Sequence, residues 1–88
     1  MEGGVMYLSV IDVEPLEAYK LELTFENKEH RIFDVSPYLG LGKYAELRDQ
    51  VLFRSVRSSF DSIQWDNEMD FDPEFLYQKS IPVGPVKY

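Results

Sequence analysis

The chain contains no cysteine. Disulfides, thiolate nucleophiles and thiolate-bound metals are thereby excluded, and a reducing compartment suits the sequence. No apolar run approaches the roughly 20 residues that a helix needs to cross a bilayer. The opening Met1-Glu2-Gly3-Gly4 lacks the basic start and apolar middle of a secretory signal. The cytoplasm is the expected compartment. Glycine is sparse and builds no phosphate cradle. Gly3-Gly4 and Gly40-Leu41-Gly42 lack the Lys-Ser/Thr of a P-loop and any following G-x-x-G. No cofactor is expected. Histidine occurs once, at position 30. Positive charge is absent from residues 58–78, which carry six acids.

What is present suits one small domain over residues 1–88. A chain this short buries roughly 60% of the surface its unfolded form exposes, so one core must carry the stability. Hydrophobic residues make up 44% of the sequence, with six Phe, six Tyr and one Trp. Such rings supply much apolar area for little length. The net charge is −7. Residues 43–57 are the one mildly basic stretch, with Lys43, Arg48, Arg54 and Arg57 against Glu46 and Asp49. Nucleic-acid binders carry a dominant basic footprint, and the acidic flanks here would repel phosphate. DNA binding through Arg48, Arg54 and Arg57 is therefore the weakest functional alternative. An acidic surface serves solubility or docks on a basic partner.

Residues 5–13 are β-branched and aromatic, which favours a strand. Glu14-Pro15-Leu16-Glu17 is expected to interrupt it, because proline cannot donate to a central ladder. Tyr19, Leu21, Leu23 and Phe25 then alternate with Lys20, Glu22 and Thr24, the period of a half-buried antiparallel strand. A hairpin follows through Glu26-Asn27-Lys28-Glu29, with Asn27 suited to a left-handed turn conformation. The return strand is His30 to Val35. A three-stranded meander over 5–35 results.

Ser36-Pro37 should open a short helical turn, capped by the serine. A helix over 43–48 is expected, then a second one capped by Asp49, with Leu52, Phe53 and Val56 inward. Its Arg54 and Arg57 would face water. Residues 58–65 return to strand, with a bend or bulge near Phe60 and Ile63. Asp72 caps a last helix starting at Pro73, where Glu74 favours the dipole. Phe75 and Leu76 anchor it. Residues 78–88 form an extended tail, too rich in proline for a central strand. The fold class is α+β: a twisted antiparallel sheet, formed by the N-terminal meander and a later strand, with short helices.

The segment from Ile63 to Tyr77 is the most distinctive. It holds the single tryptophan and five carboxylates without one base. Asp66, Glu68, Asp70 and Asp72 lie two apart, which superficially suits a hard cation. The calcium-loop template fails, since its sixth position is Phe71 and its twelfth is Tyr77. Each acid also has a structural role to play, Asp70 by bonding nearby backbone amides. Trp65, Phe71, Phe75 and Tyr77 either line a ligand pocket or, the favoured reading, close one end of the core and offer exposed edges to a partner. His30 has Asp34 on its own strand face, but roughly 13 Å away. It is an exposed sheet histidine, and no catalytic residue is assigned.

Several patterns recur in order along the chain: Val13-Glu14-Pro15-Leu16 before Tyr19-Lys20-Leu21, Leu23-Thr24-Phe25-Glu26-Asn27 before Phe33-Asp34-Val35-Ser36, and Leu47-Arg48-Asp49 before Leu52-Phe53. They end in Ile63, Trp65, Asn67, Asp70, Pro73-Glu74 and Leu76-Tyr77. Over about residues 5–77 this resembles the family catalogued as domain of unknown function 2442. The family favours Asn-Gly where this chain has Asn27-Lys28, and a small residue where it has Glu68-Met69. The resemblance implies a small bacterial α+β domain and no established catalytic residue. It also implies a small protein partner in a toxin–antitoxin-like gene pair. Some members add a C-terminal helix-turn-helix; this sequence ends at Tyr88, so DNA binding housed there is expected to be missing.

The resulting expectation is a non-enzymatic protein-interaction module, the antitoxin-like member of such a pair, binding a small and basic protein. Trp65, Asp70, Tyr77, Arg54 and Arg57 are the candidate contact residues. Self-association through sheet edges, giving a homo-oligomer, fits the same reading. The rival is a metal-binding or metal-dependent protein that uses Asp66, Glu68, Asp70 and Asp72.

Overall fold

The computed structural model describes residues 8–83. Three antiparallel strands form first: β1 (Val10–Leu16), β2 (Lys20–Phe25) and β3 (His30–Asp34). This is the expected meander, with only the first strand displaced, from the expected 5–13 to Val10–Leu16. Residues 5–7 of the expected first strand lie outside the described residues. Pro15 does not break β1; it sits opposite Leu21 within it. β1 is an edge of the sheet, where a missing amide costs no ladder bond. One residue more is used between Val10 and Asp12 than on the facing strand. That bulge turns Ile11 out to solvent.

β2 alternates as its pattern dictates. Leu21, Leu23 and Phe25 are fully buried, and the residues between them are half-exposed. Tyr19 belongs to the preceding turn and not to the strand. Ala18 and Tyr19 both take positive φ, 60° and 59°. The Tyr19 ring then meets Phe53 edge-on at 5.2 Å, and its hydroxyl donates to the Arg48 carbonyl at 2.6 Å. At the next turn it is Lys28, not Asn27, that takes the left-handed conformation, with φ 76°. The Lys28 amide donates to the Phe25 carbonyl, and the Phe25 amide donates to the Glu29 carbonyl. This is a three-residue hairpin loop closed by a left-handed residue.

Ser36–Tyr38 forms a single 3₁₀ turn. Ser36 is not its cap. The Asp34 carboxylate accepts from both the Ser36 amide and the Ser36 hydroxyl. Gly42–Arg48 is also 3₁₀, where a regular helix was expected, and it begins from a positive φ at Gly42. Helix α1 (Gln50–Phe53) follows, capped as expected by Asp49, whose side chain accepts from the Val51 amide.

The segment 58–65 is not one strand. It is a hairpin of β4 (Arg57–Ser59) and β5 (Ser62–Gln64), turning at Phe60-Asp61. β6 (Asp70–Phe71) adds to β5, giving a second, three-stranded sheet. Helix α2 (Pro73–Lys79) comes next, as expected. The tail then makes β7 (Ile81–Pro82), which pairs with β3 and becomes the fourth strand of the first sheet. Proline is accepted there because β7 is again an edge.

The core lies between the inner face of the first sheet and the later elements. Val10, Leu21, Leu23, Phe25, Phe33 and Val35 pack against Leu47, Phe53, Val56, Ile63, Trp65, Phe71 and Leu76. Trp65 is 0% exposed, and its indole N–H donates to the Phe53 carbonyl at 2.9 Å. A buried backbone acceptor is thereby satisfied. The two sheets are joined where the Val10 amide donates to the Asp61 carbonyl.

Candidate functional site

The acidic segment divides into two halves with different tasks. Residues 65–69 form a tight loop between β5 and β6. The Trp65 amide donates to the Met69 carbonyl, and Glu68 takes φ 70°. Asn67 ties the loop, its side-chain oxygen accepting from the Met69 amide while its amide group donates to Glu46. That is the task expected of Asp70. Asp66 is held by Arg57 at 2.9 Å. Among the described residues no three of the acids converge on a point that could hold a metal ion.

Asp70 and Asp72 flank Phe71 on β6 and the approach to α2. Both are exposed. Asp72 stands at the N-cap position, yet its carboxylate makes no capping bond, contrary to expectation. The backbone carbonyl of Asp70 accepts from the Tyr44 hydroxyl at 2.8 Å. Burial, and secondarily the Asp70 charge, push the Tyr44 phenol above its ordinary pKa.

Two concavities adjoin this strand and share Asp70, Phe71 and Asp72 as walls. One, of about 490 Å³, is otherwise lined by Tyr38, Tyr44 and Phe75. Its rings are ordered by one another. Phe71 lies nearly parallel to Phe75 (5.7 Å, 4°) and to Tyr44 (4.9 Å, 16°). The other, of about 520 Å³, runs along β5 to the hairpin tip at Phe60. Phe60 is fully exposed and takes φ 56°. It is unfavourable twice over. A bulky residue in the left-handed region carries backbone strain, and its ring gains nothing from burial.

The expected contact residues are dispersed. Trp65 offers no exposed edge to a partner, because its whole ring is enclosed. Tyr77 is bound into a polar knot on the far side of α2. Its hydroxyl donates to Glu29, its ring carries the Arg31 guanidinium at 4.2 Å, and its edge meets Phe25. Arg54 is exposed on the surface and Arg57 is paired with Asp66. Asp70 lines both of the concavities described. His30 is exposed, with Thr24 Oγ1 at 3.2 Å and Glu22 at 3.8 Å; Asp34 is not its partner. Phe60, Tyr38 and Tyr44 were missed. For Phe60 a signal existed: a lone aromatic ring within Ser58-Ser59-Phe60-Asp61-Ser62, where every neighbour is a polar turn former.

The arrangement defines a class: a small α+β domain of two antiparallel sheets and short helices, with an aromatic and acidic groove on its surface. The chain belongs to the family described as protein of unknown function (DUF2442), whose model matches residues 10–82. No curated protein and no solved structure matches it. No helix among the described residues is long and apolar enough to cross a membrane.

Proposed function

We propose that this chain is a non-enzymatic protein-interaction module, the antitoxin-like member of a two-protein bacterial pair, and that its partner is a small basic protein. One observation carries the reading. Phe60 is fully exposed on a strained hairpin tip, a placement that neither folding nor solubility rewards. Strain of this kind persists where function requires it. The charge beside it supports a basic partner, for Asp61, Asp70 and Asp72 line the concavity that ends at Phe60. Residues 58–78 hold six acids and no base, within a chain of net charge −7.

The reading is tested by co-expression with the protein encoded beside this one, followed by calorimetry on the purified components. A one-to-one complex should form, and Phe60→Ser should weaken it at least about tenfold, as loss of an aromatic anchor does. The urea midpoint of Phe60→Ser should not fall. No complex, or a complex indifferent to Phe60→Ser, overturns the proposal.

A further inference from the structure

We propose that the groove between β6, α2 and the Tyr38 and Tyr44 loops is a receptor for an arginine side chain of the partner. This rests on the interaction reading and deepens it by naming what the groove accepts. Three observations converge. The groove is walled by four rings, from Tyr38, Tyr44, Phe71 and Phe75, and its lining contains no base. Its lining includes Asp70 and Asp72, both exposed, whose side-chain carboxylates take part in no hydrogen bond or ion pair within the described residues. The tasks that would have explained them are done otherwise: Asn67 ties the loop, and α2 starts without a side-chain cap.

The third observation is that the fold already solves the same problem elsewhere. On the opposite side of α2, the Arg31 guanidinium lies 4.2 Å from the Tyr77 ring centre while Glu29 accepts from it at 2.8 Å. Ring and carboxylate together hold one planar cation. The groove presents the same two chemistries with no resident cation among the described residues. Guanidinium fits better than ammonium, because it is planar, weakly hydrated and able to stack on rings while its edge meets a carboxylate. A metal ion is disfavoured, since rings offer it no ligands and only two acids reach the rim. Tyr44 is fixed for this role by its bond to the Asp70 carbonyl.

The test uses the ¹⁵N-labelled full chain titrated at low salt with acetyl-Gly-Arg-Gly-amide, with its citrulline counterpart as the neutral isostere. The arginine peptide should shift the amides of Tyr44, Phe71, Asp72 and Phe75 with a Kd on the order of 10 mM. Citrulline should bind at least about tenfold more weakly, the loss expected when the charge is removed from a charge-assisted contact. The double variant Asp70→Asn/Asp72→Asn keeps a dispersed spectrum, because both sites are exposed, and should lose the response. Equal shifts with citrulline, shifts confined to other residues, or an undiminished response in the double variant would each overturn the assignment. The two proposals fail separately. A partner complex whose Kd is unchanged by the double variant removes the arginine receptor and leaves the interaction module standing. Arginine-specific shifts without any complex remove the paired-gene reading and leave the receptor.

Discussion

The guanidinium of Arg31 lies over the ring of Tyr77, 46 positions later in the chain, at 4.2 Å from its centroid. Arg31 is only 11% exposed in its side chain and is fully engaged. Its Nε donates to the Ser80 hydroxyl, Nη2 to the Ser80 carbonyl, and Nη1 to Glu29. Glu29 also accepts from Tyr77 and Asn27. This knot fastens the end of α2 and β7 to the meander. Arg31→Lys keeps the charge but loses the planar fork and the ring contact. It should lower the urea midpoint and raise amide exchange selectively at 79–83, readable by hydrogen exchange.

The same knot sets a dependence on pH. Hydrogen bonds from Arg31 foremost, then from Tyr77 and Asn27, hold the Glu29 carboxyl below its ordinary pKa. Burial would raise Asp34, but the two bonds from Ser36 together with the Lys20 charge more than offset it and leave its carboxyl below the ordinary pKa. A lowered pKa stabilises the fold fully above the unfolded value of about 4 and loses that effect as pH falls through the folded value. The thermal midpoint should therefore be flat near neutrality and decline below about pH 4. Glu29→Gln should lower the midpoint at pH 7 and make the acid slope shallower. Tyr77 is raised, chiefly by its bond to Glu29, so that contribution is lost on the alkaline side as pH passes its folded value.

Lys28 and Phe60 occupy positive-φ positions in two hairpin turns, at 76° and 56°. Glycine carries no penalty there, and neither side chain is buried. Lys28→Gly and Phe60→Gly should each stabilise the chain by about 1 kcal/mol. A guanidinium unfolding series would show both. A destabilising Lys28→Gly would mean that the turn is not the one described.

Trp65 should be intolerant of change. Trp65→Phe removes the donor to the Phe53 carbonyl and leaves a void beside it. The expected loss is about 3 kcal/mol, combining the unsatisfied acceptor with the missing volume. Trp65→Ala should fail to fold stably, since small domains hold little in reserve. Emission from the native Trp65 should be blue-shifted and resistant to acrylamide.

Calcium, magnesium or manganese at millimolar concentration should leave the melting temperature unchanged. Asp66 is committed to Arg57, and the acids of 66–74 do not converge in threes. A rise of several degrees would restore the metal-binding alternative.

Much of the fold was legible because it is written in local periodicity. The alternation from Leu21 to Phe25, Asp49 as a cap, and Asp72-Pro73 before a helix depend on neighbours a few residues apart. The errors share a cause. The interruption expected at Pro15 does not occur because edge position is not a local property, whereas the proline-rich tail stays off the centre of the sheet as expected. The bend expected near Phe60 within a strand over 58–65 is a full hairpin turn, because pairing of Arg57–Ser59 with Ser62–Gln64 is not a property of either segment alone. Lys28 and Phe60 accept left-handed backbone that their side chains disfavour, a cost imposed by strand pairing on both sides.

Taken alone, the amino-acid order determined which residues are apolar, which alternate and where charge of one sign accumulates, and so it determined a small α+β domain with a base-free acidic stretch over residues 58–78. Tertiary structure decided which of those residues share a surface. Trp65 went wholly inside because its ring completes the core and the Phe53 carbonyl satisfies its one polar hydrogen, and Tyr77 was taken by Arg31. Asp70 and Asp72 were brought beside Tyr38, Tyr44 and Phe75, residues up to 34 positions away. Such convergence depends on how strands pair and helices pack across the whole chain, which no short-range pattern encodes.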